Sequence, residues 1–248
     1  MRLSRGRQPL DQLEKGVLDD TAPLAGLLRH ALIIGGHASS QPLRQWALGE
    51  LNGYARSDAE VPDYRHVPAP IQADSVSPAW QRKGERISVL HLPEPARDVI
   101  KEEVPIPWGV GYLENLIART PPDQHVKIDL PGGAELRVLM SAKYRERGIS
   151  IEALYWSISV SALHDIVDQV RTRLTQFVAE LRSTMPAGSH TPTPEQVFRA
   201  VQSVNITTGN NSPVTLTAPV AYAETGATAA TTVTTATAAT NHWWRRRR

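Results

Sequence analysis

The sequence predicts an α+β fold: an N-terminal helical hairpin and a long C-terminal helix packed on a small, mostly antiparallel sheet, followed by a Thr/Ala-rich tail that is β-prone or disordered. Three observations support this prediction. Apolar residues recur at helical spacing near the amino terminus and again, over about five turns, at 163–181. Between these helices, apolar and polar residues alternate. Charged and bulky apolar residues then become rare beyond Pro186, Gly188 and Ser189, which mark a linker.

Two short helices are expected first. One has Pro23 in its first turn and an apolar stripe that ends at Gly35. The other has Pro42 in its first turn and ends at Gly53. Because only a short turn separates them, they are expected to form a helical hairpin.

The segments that follow give weaker patterns. Residues 55–84 contain four prolines and no sustained period, which predicts a long ordered loop. A strand is expected at 87–91, and short helices are expected at 94–104 and 110–118.

The strongest strand signals lie in the second half of the body. Alternation at 126–130 and 136–140, with a Pro-Gly-Gly turn between them, predicts a β-hairpin. Residues 155–160 alternate in the same way and are expected to add a third strand. Ser159 or Ser161 is then placed to cap the long helix.

The composition divides the chain into three parts. Residues 1–185 are the predicted α+β body, and 186–203 are a linker with a short helix that begins in a capping-box pattern at Thr193. Residues 204–248 are a β-prone, low-complexity tail that ends in a Trp-Trp-Arg run. Within 214–240, ten threonines and nine alanines leave too little apolar bulk for the tail to build a core of its own.

Composition also excludes several classes of protein. The chain has no cysteine, which excludes disulfide scaffolds, thiolate metal sites and cysteine nucleophiles. Its formal charge is +2, but without the three arginines in the first eight residues and the four that close the chain it becomes −5. Any contact with a polyanion is therefore expected at the ends or at a local basic face. Pro9 and Asp11 interrupt the position of a signal-peptide core, so a cytoplasmic protein is expected.

Recognisable catalytic motifs are not found in the sequence. The eight histidines show no H-E-x-x-H spacing, and neither a phosphate-binding P-loop nor a G-x-S-x-G elbow is present. We therefore expect no metal site and no cofactor, and the sequence favours a non-enzymatic protein.

One acidic pattern nevertheless suggests a nuclease. Carboxylates across a hairpin beside a basic residue can hold Mg²⁺, and the predicted hairpin places Asp129, Glu135 and Arg137 on its polar side. An ordinary solvent face with a cross-strand ion pair has the same pattern. Both interpretations remain open at the level of sequence.

The tail contains two candidate contact regions. The first is a strand-turn-strand pattern around a Gly-Asn-Asn turn, with Val204, Ile206, Val214 and Leu216 as its apolar positions. An isolated hairpin cannot bury its apolar face, so pairing with a second copy of the chain, and hence a homo-oligomer, is expected. The second region consists of Trp243, Trp244, Arg245, Arg246, Arg247 and Arg248. It is expected either to contact an anionic membrane or nucleic acid, or to be a free end of the chain.

Several segments together carry a family resemblance. They are residues 27–32, 43–54, 61–65, 156–159 and 163–174. The most specific part is Glu-Leu-Asn-Gly-Tyr at 50–54 followed by Pro-Asp-Tyr-Arg at 62–65. Together they bracket 22–185 and resemble the AbiTii-type domain of bacterial abortive infection proteins. The resemblance implies protection against phage and supplies no catalytic residues.

The functional expectation combines the resemblance with the tail. We expect an antiphage, abortive-infection protein that acts as a non-enzymatic sensor and scaffold, responds to a phage component and self-assembles through its C-terminal tail. The alternatives are a metal-dependent nuclease, a nucleic-acid-binding regulator, and an effector that the tail attaches to a membrane.

Overall fold

The computed structural model describes residues 8–55 and 60–204. Within these ranges the α-helices are α1 (Pro9–Val17), α2 (Leu24–His37), α3 (Gln41–Asn52), α4 (Glu94–Arg97), α5 (Val110–Arg119), α6 (Gly133–Lys143), α7 (Val160–Thr184) and α8 (Pro194–Ser203). The strands there are β1 (His66–Pro68), β2 (Ile71–Ser77), β3 (Trp80–Arg86), β4 (Glu103–Pro105), β5 (His125–Asp129) and β6 (Ser150–Ser159). The predicted α+β class is confirmed.

The main sheet is antiparallel and has the strand order β3-β2-β6-β5. Strand β6 is central: it pairs with β2 over residues 150–156 on one edge and with β5 over residues 155–159 on the other. A separate pair, β1 with β4, is also antiparallel.

The buried residues form two clusters, and α7 contributes to both. Its first turns place Leu163 and Ile166 against the sheet, in a cluster that also holds α5 and α6 side chains. Its later turns, with Phe177 at their centre, pack against α1, α2, α3 and α8. Because one continuous helix enters both clusters, α7 fixes the position of the helical layer relative to the sheet.

Helices with a clear 3.6-residue period are confirmed. The predicted helical hairpin is α2 and α3, but the end predicted at Gly35 is wrong, because Gly35 and Gly36 lie inside α2, which continues to His37. The helix expected at 110–118 is α5, and the long helix is α7 with Ser159 as its N-cap. The predicted capping box of α8 is also present: the Thr193 hydroxyl accepts from the amide of Gln196 at 3.3 Å, and the Gln196 side chain accepts from the amide of Thr193 at 2.9 Å.

The prediction of a loop over 55–84 is wrong, because this segment supplies β1, β2 and β3. Alternation in β2 is hidden in the sequence, since two of its inward positions are the small residues Ala73 and Ser75. Strand β3 is an edge strand with charged, largely exposed side chains, a composition that limits pairing with other chains.

The β-hairpin predicted at 126–140 is half wrong. Its first arm is β5, but its second arm lies in α6, where Leu136 and Met140 are buried one turn apart and Val138 between them is exposed. Leu136, Val138 and Met140 are apolar at every second position, which fits a strand. Leu136 and Met140 are also four residues apart, which fits one face of a helix. Gly132, with φ +64°, begins the helix from a left-handed conformation.

Two smaller predictions are also wrong. The strand expected at 87–91 is an extended stretch followed by a 3₁₀ turn at Val89–His91. The helix expected at 94–104 is limited to α4, and its last two residues lie in β4.

Helix α1 was not predicted. It buries Leu10, Leu13 and Val17 in the helical cluster. Its polar side is held by α7, because the Arg182 guanidinium donates to Asp11 Oδ1 at 2.7 Å and to Glu14 Oε2 at 2.5 Å.

The buried stripe of α7 leads to a stability prediction that uses the chain's two phenylalanines. Phe177 is fully buried and Phe198 on α8 is 53 % exposed. We expect Phe177→Ala to lower the free energy of unfolding by about 3–5 kcal/mol, because it leaves a cavity in the helical cluster. Phe198→Ala should change it by less than about 1 kcal/mol. Chemical denaturation of both variants is the measurement, and equal effects would contradict the packing described for α7.

The contact between α1 and α7 leads to a pH prediction. Burial acts to raise the pKa of Asp11, but hydrogen bonds from Arg182 and His190 outweigh it and hold that pKa below its usual value. A lowered folded-state pKa stabilises the fold above the unfolded value, and this stabilisation is lost as the pH falls. Asp11→Asn should therefore lower the melting temperature at pH 7, and the difference from wild type should shrink between about pH 5 and about pH 2.

The control for this pH prediction is Asp98→Asn, which changes an exposed aspartate at the end of α4. This variant should show no such pH-dependent difference. A difference for Asp11→Asn that stays constant with pH would contradict the assigned ion pair.

Candidate functional site

The motif residues at 50–54 and 62–65 meet in a buried cluster. Glu50 lies in the last turn of α3, and Arg65 ends a 3₁₀ turn just before β1. Both side chains are 0 % exposed, and Arg65 Nη2 lies 2.5 Å from Glu50 Oε2 while Arg65 Nε lies 3.1 Å from Oε1. We call the group formed by Glu50, Tyr54, Tyr64 and Arg65 the Glu50–Arg65 cluster.

The remaining polar atoms of this ion pair also have partners. Glu50 Oε1 accepts from the hydroxyls of Tyr54 at 2.7 Å and Tyr64 at 2.6 Å. Arg65 Nη1 donates to the backbone carbonyls of Ile106 at 3.1 Å and Trp108 at 2.7 Å. A buried ion pair is tolerated only when its geometry is good and its other hydrogen-bonding groups are satisfied, and this one meets both conditions.

Electrostatics keep the two tyrosines and the arginine of the cluster protonated. Burial raises the pKa of Tyr54 and Tyr64, and the adjacent Glu50 carboxylate raises it further, so both hydroxyls remain protonated donors. Burial acts to lower the pKa of Arg65, but the hydrogen bonds and charge of Glu50 outweigh it and raise that pKa. The cluster is therefore a fixed hydrogen-bond network at physiological pH.

The cluster also joins separate parts of the chain. Trp46 Nε1 on α3 donates to the Tyr64 hydroxyl at 2.9 Å, and the Arg173 guanidinium on α7 lies 3.8 Å from the centre of the Tyr64 ring. The cluster thus connects α3, the segment before β1, the segment before α5, and α7. Its residues hold α3 and α7 to the segments that lead into β1 and α5.

The glycine of the motif is explained by backbone proximity. Gly53 has φ +82°, and a Cβ atom there would lie 2.4 Å from the carbonyl oxygen of Pro107. The same carbonyl accepts from the amide of Tyr54 at 2.8 Å. Asn-Gly-Tyr is therefore a packing motif that lets the end of α3 touch the segment before α5.

A second group of polar residues lies on one face of the main sheet. The other face packs on the apolar cluster that contains Leu163 and Ile166. Asp74 Oδ1 accepts from the Tyr155 hydroxyl at 2.8 Å and from the Gly84 amide at 2.7 Å. Lys127 lies 3.3 Å from Asp74 Oδ2, and its ammonium is 3.9 Å from the centre of the Tyr155 ring. This network spans all four strands of the main sheet.

The charges of that network are mutually stabilised. Burial acts to raise the pKa of Asp74, but hydrogen bonds from Gly84, Tyr155 and Lys127 outweigh it and lower that pKa. Burial raises the pKa of Tyr155. An ionised carboxylate, a protonated phenol and an ammonium group are therefore the expected species.

The three nuclease candidates do not form the arrangement predicted for them. Asp129 ends β5 in register with Tyr155, on the polar sheet face. Glu135 and Arg137 lie on α6 instead of a facing strand, and residues two apart on a helix point in different directions. The predicted cross-strand site is wrong because its second strand is a helix. Within 8–55 and 60–204, no cluster of three or more acidic or histidine side chains is placed to hold a metal ion.

Arg137 instead protects an open sheet edge, a role that the sequence did not suggest. Strand β5 pairs only with residues 155–159 of β6, which leaves the edge of residues 150–154 open on that side. Arg137 donates to the carbonyl of Glu152 at 2.6 Å, and the Ser141 hydroxyl accepts from the amide of Ile151 at 2.9 Å. Helix α6 therefore blocks this edge with two side chains that lie one turn apart.

Most of the candidate residues in the tail lie outside the described part of the chain. Val204 is the C-cap of α8 with a helical backbone conformation, φ −84° and ψ −6°, so the predicted strand does not begin there. The others lie outside the described residues, namely Ile206, Val214, Leu216, Trp243, Trp244, Arg245, Arg246, Arg247 and Arg248. No helix among the described residues is both long and apolar enough to cross a membrane.

Comparison with protein families gives one match. The family model AbiTii matches residues 10–206, which extends from α1 to just beyond α8. The match therefore also includes α1 and α8, which lie on either side of the region 22–185 that carries the motif resemblance. No curated protein and no solved structure matches the chain.

The buried ion pair leads to a prediction with a matched control. Glu50→Ala leaves the Arg65 guanidinium buried without its counter-charge, so we expect the free energy of unfolding to fall by about 3–5 kcal/mol. Glu85→Ala removes the partner of Arg82 in a pair whose side chains are 45 % and 58 % exposed, and should cost less than about 1 kcal/mol. Urea denaturation measures both.

The double variant Glu50→Met with Arg65→Met tests the cause. It buries no unpaired charge, so it should be more stable than Glu50→Ala. Equal, small losses for Glu50→Ala and Glu85→Ala would show that the Glu50–Arg65 cluster does not hold the fold together.

Proposed function

Because the chain belongs to the AbiTii family, which suggests phage defence by abortive infection, we propose that it acts as a non-enzymatic sensor and scaffold that self-assembles through its C-terminal tail. The observation that carries this proposal is the Glu50–Arg65 cluster. Residues of the motif at 50–54 and 62–65, which carries the resemblance, bond to one another and to backbone carbonyls in the interior. Such residues maintain the shape of a platform instead of presenting reactive groups to a substrate.

The composition of the tail supports a role in assembly. Between 205 and 240 the only charged residue is Glu224, so charge repulsion does not oppose close approach of this part of two tails. Threonine is β-branched and alanine is small, which suits closely stacked strands from neighbouring chains. A phage component that alters the platform would then act by changing assembly.

The end of the tail favours a second candidate function. Trp243 and Trp244 precede four arginines, and this combination suits an anionic membrane surface, with tryptophan at the interface and arginine near the head groups. In this alternative the platform carries a membrane-directed effector segment.

A truncation tests the proposal. Helix α8 buries Val197, Ala200 and Val201 in the helical cluster, so the truncated chain should end at residue 206 and keep this helix. We expect full-length protein to form oligomers and to protect cells in phage plating assays. The 1–206 chain should be a monomer by light scattering, melt at a similar temperature and give no protection.

The outcomes separate the two candidates. Equal, monomeric masses for both chains would sink the assembly proposal. Partition of only the full-length chain into anionic liposomes would instead favour the membrane effector.

Phage plating also tests the nuclease alternative. Asp129→Ala and Glu135→Ala should keep phage protection, because both residues are exposed and Glu135 lies on α6. Loss of protection with an unchanged melting temperature, together with Mg²⁺-dependent cleavage of plasmid by the wild-type protein, would revive the nuclease.

A further inference from the structure

An open groove of about 590 Å³ lies between α6 and the start of β6. Its walls include Arg137, Val138 and Ser141 from α6, Arg145 from the following 3₁₀ turn, and Ile149. We call it the α6 groove. Its volume is in the range of small-molecule sites.

The charge of the α6 groove is positive. Two arginines line it and no acidic side chain does. The described residues contain no acidic partner within 4.0 Å of Arg137 or Arg145. This differs from Arg65 and Arg182, which are paired with carboxylates. The two arginines of the groove are therefore available to an external anion.

The donors are held in place before any ligand arrives. The hydrogen bond from Arg137 Nη1 to the Glu152 carbonyl positions the guanidinium at the wall and leaves its other N–H groups for a ligand. The Ser141 hydroxyl accepts from the Ile151 amide, so its own O–H is free to donate. Arg137 and Ser141 lie one turn apart on α6 and face the same groove. Such preorganisation reduces the entropy lost on binding.

The groove also has an apolar wall. Val138 is 70 % exposed, and Ile149 also lines the groove, so both offer apolar surface in the same groove as the cationic donors. A ligand that carries an anionic group and a flat or apolar group would satisfy both walls. Phosphate on a nucleoside has this combination.

We propose that the α6 groove binds a nucleoside phosphate, with the phosphate at Arg137, Ser141 and Arg145 and the base against Val138 and Ile149. None of the residues that line the groove belongs to the Glu50–Arg65 cluster or to the tail, so this proposal does not depend on the proposed assembly. It would give the platform an input in the form of a small molecule.

Calorimetric titration of the full-length protein tests this proposal, with ATP, adenosine and inorganic pyrophosphate as probes. We expect saturable binding of ATP and at least tenfold weaker binding of adenosine, because adenosine lacks the phosphates. Pyrophosphate should bind more weakly than ATP, because it cannot contact the apolar wall. Pyrophosphate binding as tight as that of ATP would overturn the role of Val138 and Ile149 and identify a simple phosphate site.

Matched variants locate the site. Arg145→Gln should weaken ATP binding about tenfold, as expected for the loss of a charge-assisted contact. Arg147→Gln changes an arginine of the same 3₁₀ turn that does not line the groove, and should leave the affinity within about twofold. Val138→Asp places a negative charge inside the groove at an exposed position and should abolish binding. Leu139→Asp changes a neighbouring exposed residue outside the groove and should not.

The contrary results are equally specific. Absence of saturable ATP binding at millimolar concentration, equal losses for Arg145→Gln and Arg147→Gln, or undiminished binding by a folded Val138→Asp variant would each overturn the proposal. Binding of single-stranded oligonucleotides without binding of ATP would also overturn it and assign the groove to nucleic acid. Melting temperatures within a few degrees of wild type confirm that each variant is folded.

Discussion

The buried ion pair between Glu50 and Arg65 is the constraint on which the arrangement of the molecule depends. Removing two charges from water is costly, and the cost is offset only if every remaining donor and acceptor finds a partner. Here the partners come from three segments that are distant in sequence: the end of α3, the turn before β1 and the carbonyls of Ile106 and Trp108. The network is therefore complete only when α3, the turn before β1 and the segment before α5 are all in their native places. It forms only in the correctly folded chain.

Helix α7 supplies the second, apolar part of that assembly. Its stripe is continuous over both buried clusters, with Ile166 against the sheet and Phe177 among the helices. The stripe could be predicted because its period depends only on helix geometry and repeats over many residues. The capping box of α8 could be predicted for a similar reason, since its hydrogen bonds join residues three apart. Local rules thus account for the elements whose defining pattern lies within the element itself.

The elements that could not be predicted depend on distant partners. Strand β2 shows little alternation because Ala73 and Ser75 face inward, and it becomes a strand by pairing with β6, which begins more than seventy residues later. The positions of Leu136 and Met140 fit both the strand period and the helix period. The segment is a helix, α6, and packs against β6. The candidate site follows the same rule. Glu50 and Arg65 could be recognised as part of a family pattern, but their pairing across a fifteen-residue separation and the contact of Arg137 with the Glu152 carbonyl require the folded chain.

A platform held together in this way restricts where a signal can act. The Glu50–Arg65 cluster is fully buried and its groups are mutually satisfied, so a ligand cannot reach it without opening the structure. In the proposed sensor, responses would therefore begin at surfaces whose groups are accessible, such as the α6 groove. They can be transmitted along α6, because this helix contacts β6 and β6 contacts both β2 and β5. The family match ends at residue 206, so the tail lies beyond the part that the family model describes. In the proposed function, recognition would belong to the residues that the family model matches, and output to the residues that follow them in the sequence.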